Sequence, residues 1–136
     1  MLIIEGIALA LLLLALVPPP DPIEPGFLTR YSLGVMKRVT AKRHMEWSGC
    51  GVAIDNQKVG SFVLVRGVKT GIERTCQVVD WSMPKDKARH VKVNLLELDS
   101  NNQAAVCGAK AAMSGWRSCP VLIRRGVPDP RPPADS

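Results

Sequence analysis

Three acids stand where carboxylates could meet a sugar: Asp55, Asp80 and Glu97. Each ends or interrupts a short apolar run, which puts it at the rim of a buried face and not in a solvated charge stretch. Two carboxylates about 5–9 Å apart are the usual requirement for hydrolysing a glycosidic bond, although lytic cleavage can manage with one. Without that spacing the same groups still hydrogen-bond sugar hydroxyls. Trp81 and Tyr31 are the rings available for stacking on a sugar. Aromatic residues are only 4% of the chain, so Trp47, Trp116, Phe27 and Phe62 complete the choice.

Each acid also has a plainer use. Asp80 is equally suited to capping a turn through its side chain, and Asp55 to opening the turn at Asn56. Glu97, costly to bury alone, belongs at a rim or beside an Arg or Lys.

Other chemistries find little support. The chain has no glycine-rich phosphate loop, no metal-ligand cluster and no Ser-His-Asp constellation, and its two histidines, His44 and His90, sit in no catalytic motif. No metal and no cofactor is expected. Cys50, Cys76, Cys107 and Cys119 are even in number and lack a C-x-x-C pair, which favours disulfides in an oxidising compartment over zinc. Four cysteines allow three pairings, all open at this stage. The net charge of +6 favours acidic partners such as phosphate polymers, anionic lipid or anionic wall polymer. Four cations crowd residues 37–44 (Lys37, Arg38, Lys42 and Arg43). With no aromatic residues interleaved to stack bases, this run reads first as the solvated face of a short helix or strand, and nucleic acid as an unlikely partner.

The elements that would position the acids are mostly strands. Residues 51–55 and 60–66 read as two strands joined by a polar turn, and Lys69-Thr70-Gly71 as a hairpin turn with glycine late, where positive φ is usual. Residues 72–81 then return as a strand. Ile72, Cys76 and Val78 share one side of its period-2 pattern, and Asp80 falls on that side too. This order predicts a β-meander. Residues 93–98 form a further strand broken by Glu97, Asp99-Ser100 caps a helix over 101–107, and Gly108 ends it. Residues 120–125 are a last strand, with proline at its start.

The ends differ in character. Residues 6–17 are unbroken apolar; as a helix they cover about 18 Å, while the run counted from Leu2 almost reaches the roughly 30 Å of a bilayer core. Residues 1–17 are therefore expected to be a membrane anchor or signal-like helix. Residues 18–29 read as a proline-rich spacer, 30–126 as the folded domain, and 127–136 as a proline-rich tail without fixed structure.

From Tyr31 to Val106 the pattern resembles the double-psi β-barrel of the rare lipoprotein A and expansin type. The pieces that carry the likeness are residues 60–65, then Thr70-Gly71, then Cys76-Gln77-Val78-Val79-Asp80, then Glu97-Leu98-Asp99 with Ala104-Ala105. The resemblance implies a mainly β, small six-stranded double-psi barrel with one or two short helices, preceded here by the N-terminal apolar helix. It implies an extracellular or extracytoplasmic protein that binds cell-wall or other polysaccharide. In the lytic members an aspartate stands where Glu97 is and a histidine near where Asp55 is, so strong hydrolytic activity is not expected to be inherited. A lytic, peptidoglycan-cleaving glycosidase, with Glu97 as general acid and Asp55 or Asp80 as its carboxylate partner, is the alternative, and a non-catalytic structural or protein-interaction module the third.

Overall fold

The computed structural model of the chain describes residues 23–82, 93–108 and 118–133. Six strands and two helices follow in order: β1 (Glu24–Tyr31), α1 (Leu33–Lys42), β2 (Gly51–Ile54), β3 (Phe62–Gly67), β4 (Glu73–Asp80), β5 (Asn94–Asp99), α2 (Ser100–Cys107) and β6 (Cys119–Val127). The strands close a barrel in the order β1-β5-β2-β4-β3-β6. Two pairs, β1 with β5 and β2 with β4, are parallel; the rest are antiparallel. The chain is thus mainly β, a six-stranded mixed barrel with two short helices.

Alternation along the strands builds the interior. Leu28, Val52, Ile54, Val63, Val65, Val78, Leu96, Leu98 and Ile123 are fully enclosed and form one cluster. The expected meander does not hold beyond its hairpin. β3 and β4 do pair as neighbours, but β2 lies between β4 and β5 instead of beside β3. All four residues of β2 are buried, and a strand that is apolar on both faces is stable only in the middle of a sheet. The polar turn after it is a passage to the far side of β4.

The barrel begins at Glu24, inside the stretch expected to be spacer. The space a Cβ would take at Gly26 is already filled by the side chains of Ile123 and Leu96, so the glycine lets these core residues pack against the β1 backbone. At the other end β6 runs to Val127, and beyond it the Arg131 guanidinium lies 5.4 Å from the centre of the Phe62 ring and pairs with Asp129. The apolar segment of residues 1–17, together with His90 and Trp116, lies outside the described residues.

Local devices match their sequence signals. Gly71 has φ +72°, and its N–H donates to the Gly67 carbonyl at 2.8 Å. Asp99 caps α2: one carboxylate oxygen accepts from the Asn102 N–H at 3.1 Å. The other accepts from the Gly51 N–H at 3.1 Å, so the cap also ties α2 to β2. Helix α1 buries Met36 and Thr40. The Met36 thioether and the Trp47 ring occupy the space where a side chain at Gly51 would be. That leaves Lys37, Arg38 and Lys42 exposed, the solvated helix face expected of the cation run. Two disulfides choose among the three pairings: Cys50–Cys76 links the start of β2 to β4, and Cys107–Cys119 links the end of α2 to β6.

Candidate functional site

The acids are positioned by one rung of the barrel. Thr29 pairs with Glu97, Glu97 with Ala53, and Ala53 with Asp80. Residues opposite one another in a sheet share a face. On the neighbouring rung Leu28, Leu96 and Ile54 point into the core, so Thr29, Glu97, Ala53 and Asp80 face outward.

Asp80 reaches that face through an irregularity. Val52 pairs with Val78 but Ala53 with Asp80, which leaves Val79 without a partner of its own. Such a bulge re-aims the residues after it. Simple alternation had put Asp80 on the side of Cys76 and Val78; the bulge turns it to the opposite face, in line with Glu97. Ile72, grouped with them by the same alternation, is exposed. The two acids flank Ala53 at two interstrand steps, about 10 Å between Cα atoms.

Asp80 is held from three sides. The Tyr31 hydroxyl donates to its Oδ2 at 3.1 Å, and the Trp81 N–H donates to Oδ1 at 2.9 Å. Arg43 Nη2 lies 3.4 Å from Oδ1. The Arg43 guanidinium also lies 4.9 Å from the centre of the Trp81 ring, a cation–π distance. Trp81 itself is 56% exposed. Tyr31 comes from the end of β1, Arg43 from the C-terminal end of α1, and Asp80 with Trp81 from the end of β4, so three elements converge.

Glu97 is half-buried and accepts no hydrogen bond from any described residue. Burial, and then the negative charge of Asp80, push its carboxyl above the ordinary glutamate range. Among the described residues no cation pairs with it, so of the two placements expected of it, a rim or a partner Arg or Lys, its half-buried position fits the rim. Burial likewise raises the Tyr31 phenol, helped by its hydrogen bond to Asp80. The face therefore combines an ionisable acid that resists ionisation with an anchored carboxylate, a phenol and an exposed indole. It offers both donors and acceptors to a hydroxyl-rich ligand.

Of the residues singled out in the sequence, Tyr31, Asp80, Trp81 and Glu97 come together. Asp55 does not join them by any hydrogen bond or ion pair among the described residues. It opens the turn after β2, where its carbonyl accepts from Arg125 Nη1 at 2.9 Å. Arg125 is held in turn by Glu24 at 2.8 Å. Arg43 and Thr29 are the members that sequence reasoning missed. Arg43 was submerged in a cation run, and the alternation of Thr29 with Tyr31 signals a shared face only once β1 is known to be a strand. Among the described residues no three His, Cys, Asp or Glu side chains are grouped to hold a metal ion.

The fold and this face define a small closed barrel whose sheet carries an outward acid pair. No family model matches the chain, and no curated protein matches it by sequence. Among solved structures it is similar to the expansin of Clavibacter michiganensis, in its apo form, with a TM-score of 0.54 at 21% identity. The same expansin, as a point mutant in complex with cellohexaose, gives a TM-score of 0.52 at 20% identity. Each match covers 82% of this chain and 54% of the expansin chain, so this chain spans about half the length of the proteins it resembles. The likeness is one of fold, and it agrees with the resemblance read from the order of motifs.

Proposed function

We propose that the chain is an extracytoplasmic barrel that binds polysaccharide on its outward acid face without strong hydrolysis. The carrying observation is the convergence of Tyr31, Asp80, Trp81 and Glu97 around one outward face, in a fold similar to that of an expansin crystallised with cellohexaose. Asp80 and Glu97 would hydrogen-bond sugar hydroxyls, Tyr31 would orient Asp80, and the exposed Trp81 ring would stack on a sugar face. Two disulfides support an oxidising compartment. Residues 1–17 would tether the barrel to a membrane. None of the described helices is long and apolar enough to cross one. A neutral glucan or an anionic wall polymer would be the ligand.

The test is titration of the protein with cellohexaose and with purified wall polysaccharide, followed by NMR shifts. Binding centred on Trp81 and Tyr31, weakened about threefold to tenfold by Trp81→Ala, is expected. Shifts elsewhere, or none, would overturn the assignment.

The raised Glu97 carboxyl favours a second reading, in which Glu97 acts as general acid in lytic cleavage of a glycan. The carboxylate whose charge acts on it is that of Asp80, which makes Asp80 a better partner than Asp55. This reading requires new chain ends to be released from peptidoglycan and Glu97→Gln to stop the release.

A further inference from the structure

Away from the acid rung, the outer surface of β3, β6 and β1 is apolar where a sheet facing water would be polar. Leu64 of β3 stands opposite Arg124 of β6, Arg66 opposite Leu122, and Leu122 in turn opposite Pro25 of β1. Val63, Val65, Val121 and Ile123 on the same strands fill the core, so Leu64, Arg66, Leu122 and Arg124 face outward. Ile23, just before β1, is 55% exposed and Leu122 38%; with Leu64 they line a groove of about 260 Å³. The tip of the β3–β4 hairpin adds Val68, also 55% exposed, whose N–H donates to the Pro120 carbonyl of β6 at 3.1 Å. Exposed apolar side chains joined in this way mark a surface that meets something other than water.

The charges around it are cationic on balance. In the lining of the groove Arg66 and Arg124 face one carboxylate, that of Glu73. Arg66 lies 3.9 Å from Glu73 with both side chains about half exposed, a pair that water already weakens. Arg124 is in no ion pair among the described residues. Lys69 is exposed beside Val68. Apolar side chains ringed by arginine and lysine fit the boundary between lipid headgroups and acyl chains, where cations meet phosphates. The course of the chain points the same way. Ile23 stands six residues after Val17, the end of the apolar run, a span of about 20 Å at full extension. An anchor so close brings this side of the barrel to the bilayer.

We propose that this face docks on a bilayer containing anionic lipid, with Ile23, Val68 and Leu122 toward the acyl chains and Arg66 and Arg124 on lipid phosphates. The inference rests on the reading of residues 1–17 as a membrane tether. A second copy of the chain suits the face less well, because a two-fold contact would set its arginines against their own symmetry mates. Docking would also orient the acid face. Tyr31 lies eight residues beyond Ile23 along β1, about 26 Å at the rise of a strand, so Asp80 stands clear of the bilayer and open to a polymer beyond it.

The experiment places the full chain in bicelles of phosphatidylcholine and phosphatidylglycerol that carry a nitroxide-headgroup lipid, and reads the loss of amide NMR signals. Signals of Ile23, Leu64, Val68 and Leu122 are expected to be lost, and those of Asp80 and Trp81 kept. Leu122→Glu should even out the losses across the barrel while residues 1–17 still hold the chain on the bicelle. Should that variant fail to fold, Ile23→Glu, at an exposed residue ahead of β1, tests the same contact. In phosphatidylcholine alone the losses on this face should weaken; equal losses there overturn the assignment to anionic lipid. Losses spread evenly over the wild-type barrel, or centred on the Asp80 face, overturn the inference and leave the tether standing. A chain that diffuses free of the bicelles removes the tether reading and this docking with it. Contacts from Leu122 to methyl groups of residues 1–17, or shifts on this face that follow protein concentration without lipid, would assign the groove to the chain's own apolar segment or to a second copy and overturn the proposal.

Discussion

Glu97 is where charge and burial conflict most plainly. Its carboxyl is raised in the folded barrel by burial and by Asp80, so between the ordinary glutamate range and that raised value the native state binds more protons than the unfolded chain. Stability must then fall as pH rises through this window, with the full contribution present only below the ordinary glutamate range. Glu97→Gln, which cannot ionise, is expected to melt at a higher temperature than the wild type at pH 7, with the difference vanishing below about pH 4. Thermal melts across pH would check it; a variant less stable at neutral pH would show that Glu97 has a partner that stabilises its charge. The positions of Asp80 and Glu97, one ending and one breaking an apolar strand, were legible in the sequence because such acids are locally conspicuous. The role of Arg43 was not. Its place over Trp81 depends on where α1 ends relative to β4, and no spacing within residues 37–44 encodes that.

At the scale of elements, short-range signals served well and long-range pairing did not. The helix over Ser100–Cys107, its Asp99 cap and the Gly71 turn are settled within a few residues of chain, and all were readable. The parallel contacts of β2 with β4, and of β1 with β5, bring distant segments together, and no pattern within a single strand announces either. The bulge opposite Ala53 was invisible, because alternation assumes a perfect ladder. Asp99 shows what a local signal can conceal: it caps α2 and also accepts from Gly51 of β2 while fully buried. Asp99→Ala should therefore cost more than an ordinary cap, about 2–3 kcal/mol, whereas Asp99→Asn keeps one carbonyl acceptor and should cost less. Denaturant unfolding of both would measure it. Gly67 is a second such join. A Cβ there would collide with the Val106 carbonyl of α2, so Gly67→Ala should loosen the packing of α2 on the β3–β4 hairpin.

For the whole molecule, the two disulfides make the oxidised state the stable one. Native protein should yield no alkylatable thiol, and reduced, unfolded protein four. Replacing Cys107 and Cys119 together by serine should lower stability by about 3 kcal/mol in chain-entropy terms, read as a lower denaturant midpoint. The sequence was enough to expect cross-links, but their pairing had to await the barrel. That barrel also sets an order of events. Of the described strands β1 is the first to be synthesised, yet both its neighbours, β5 and β6, belong to the last third of the chain. Until residues 94–99 have emerged β1 has two open edges and nothing to pair with, and until residues 119–127 follow it keeps one; contacts so remote form slowly. The first of the described strands thus waits for the last two. A nascent or truncated chain that lacks β6 leaves β1 and β3 both open along one side, so it should aggregate before it can fold.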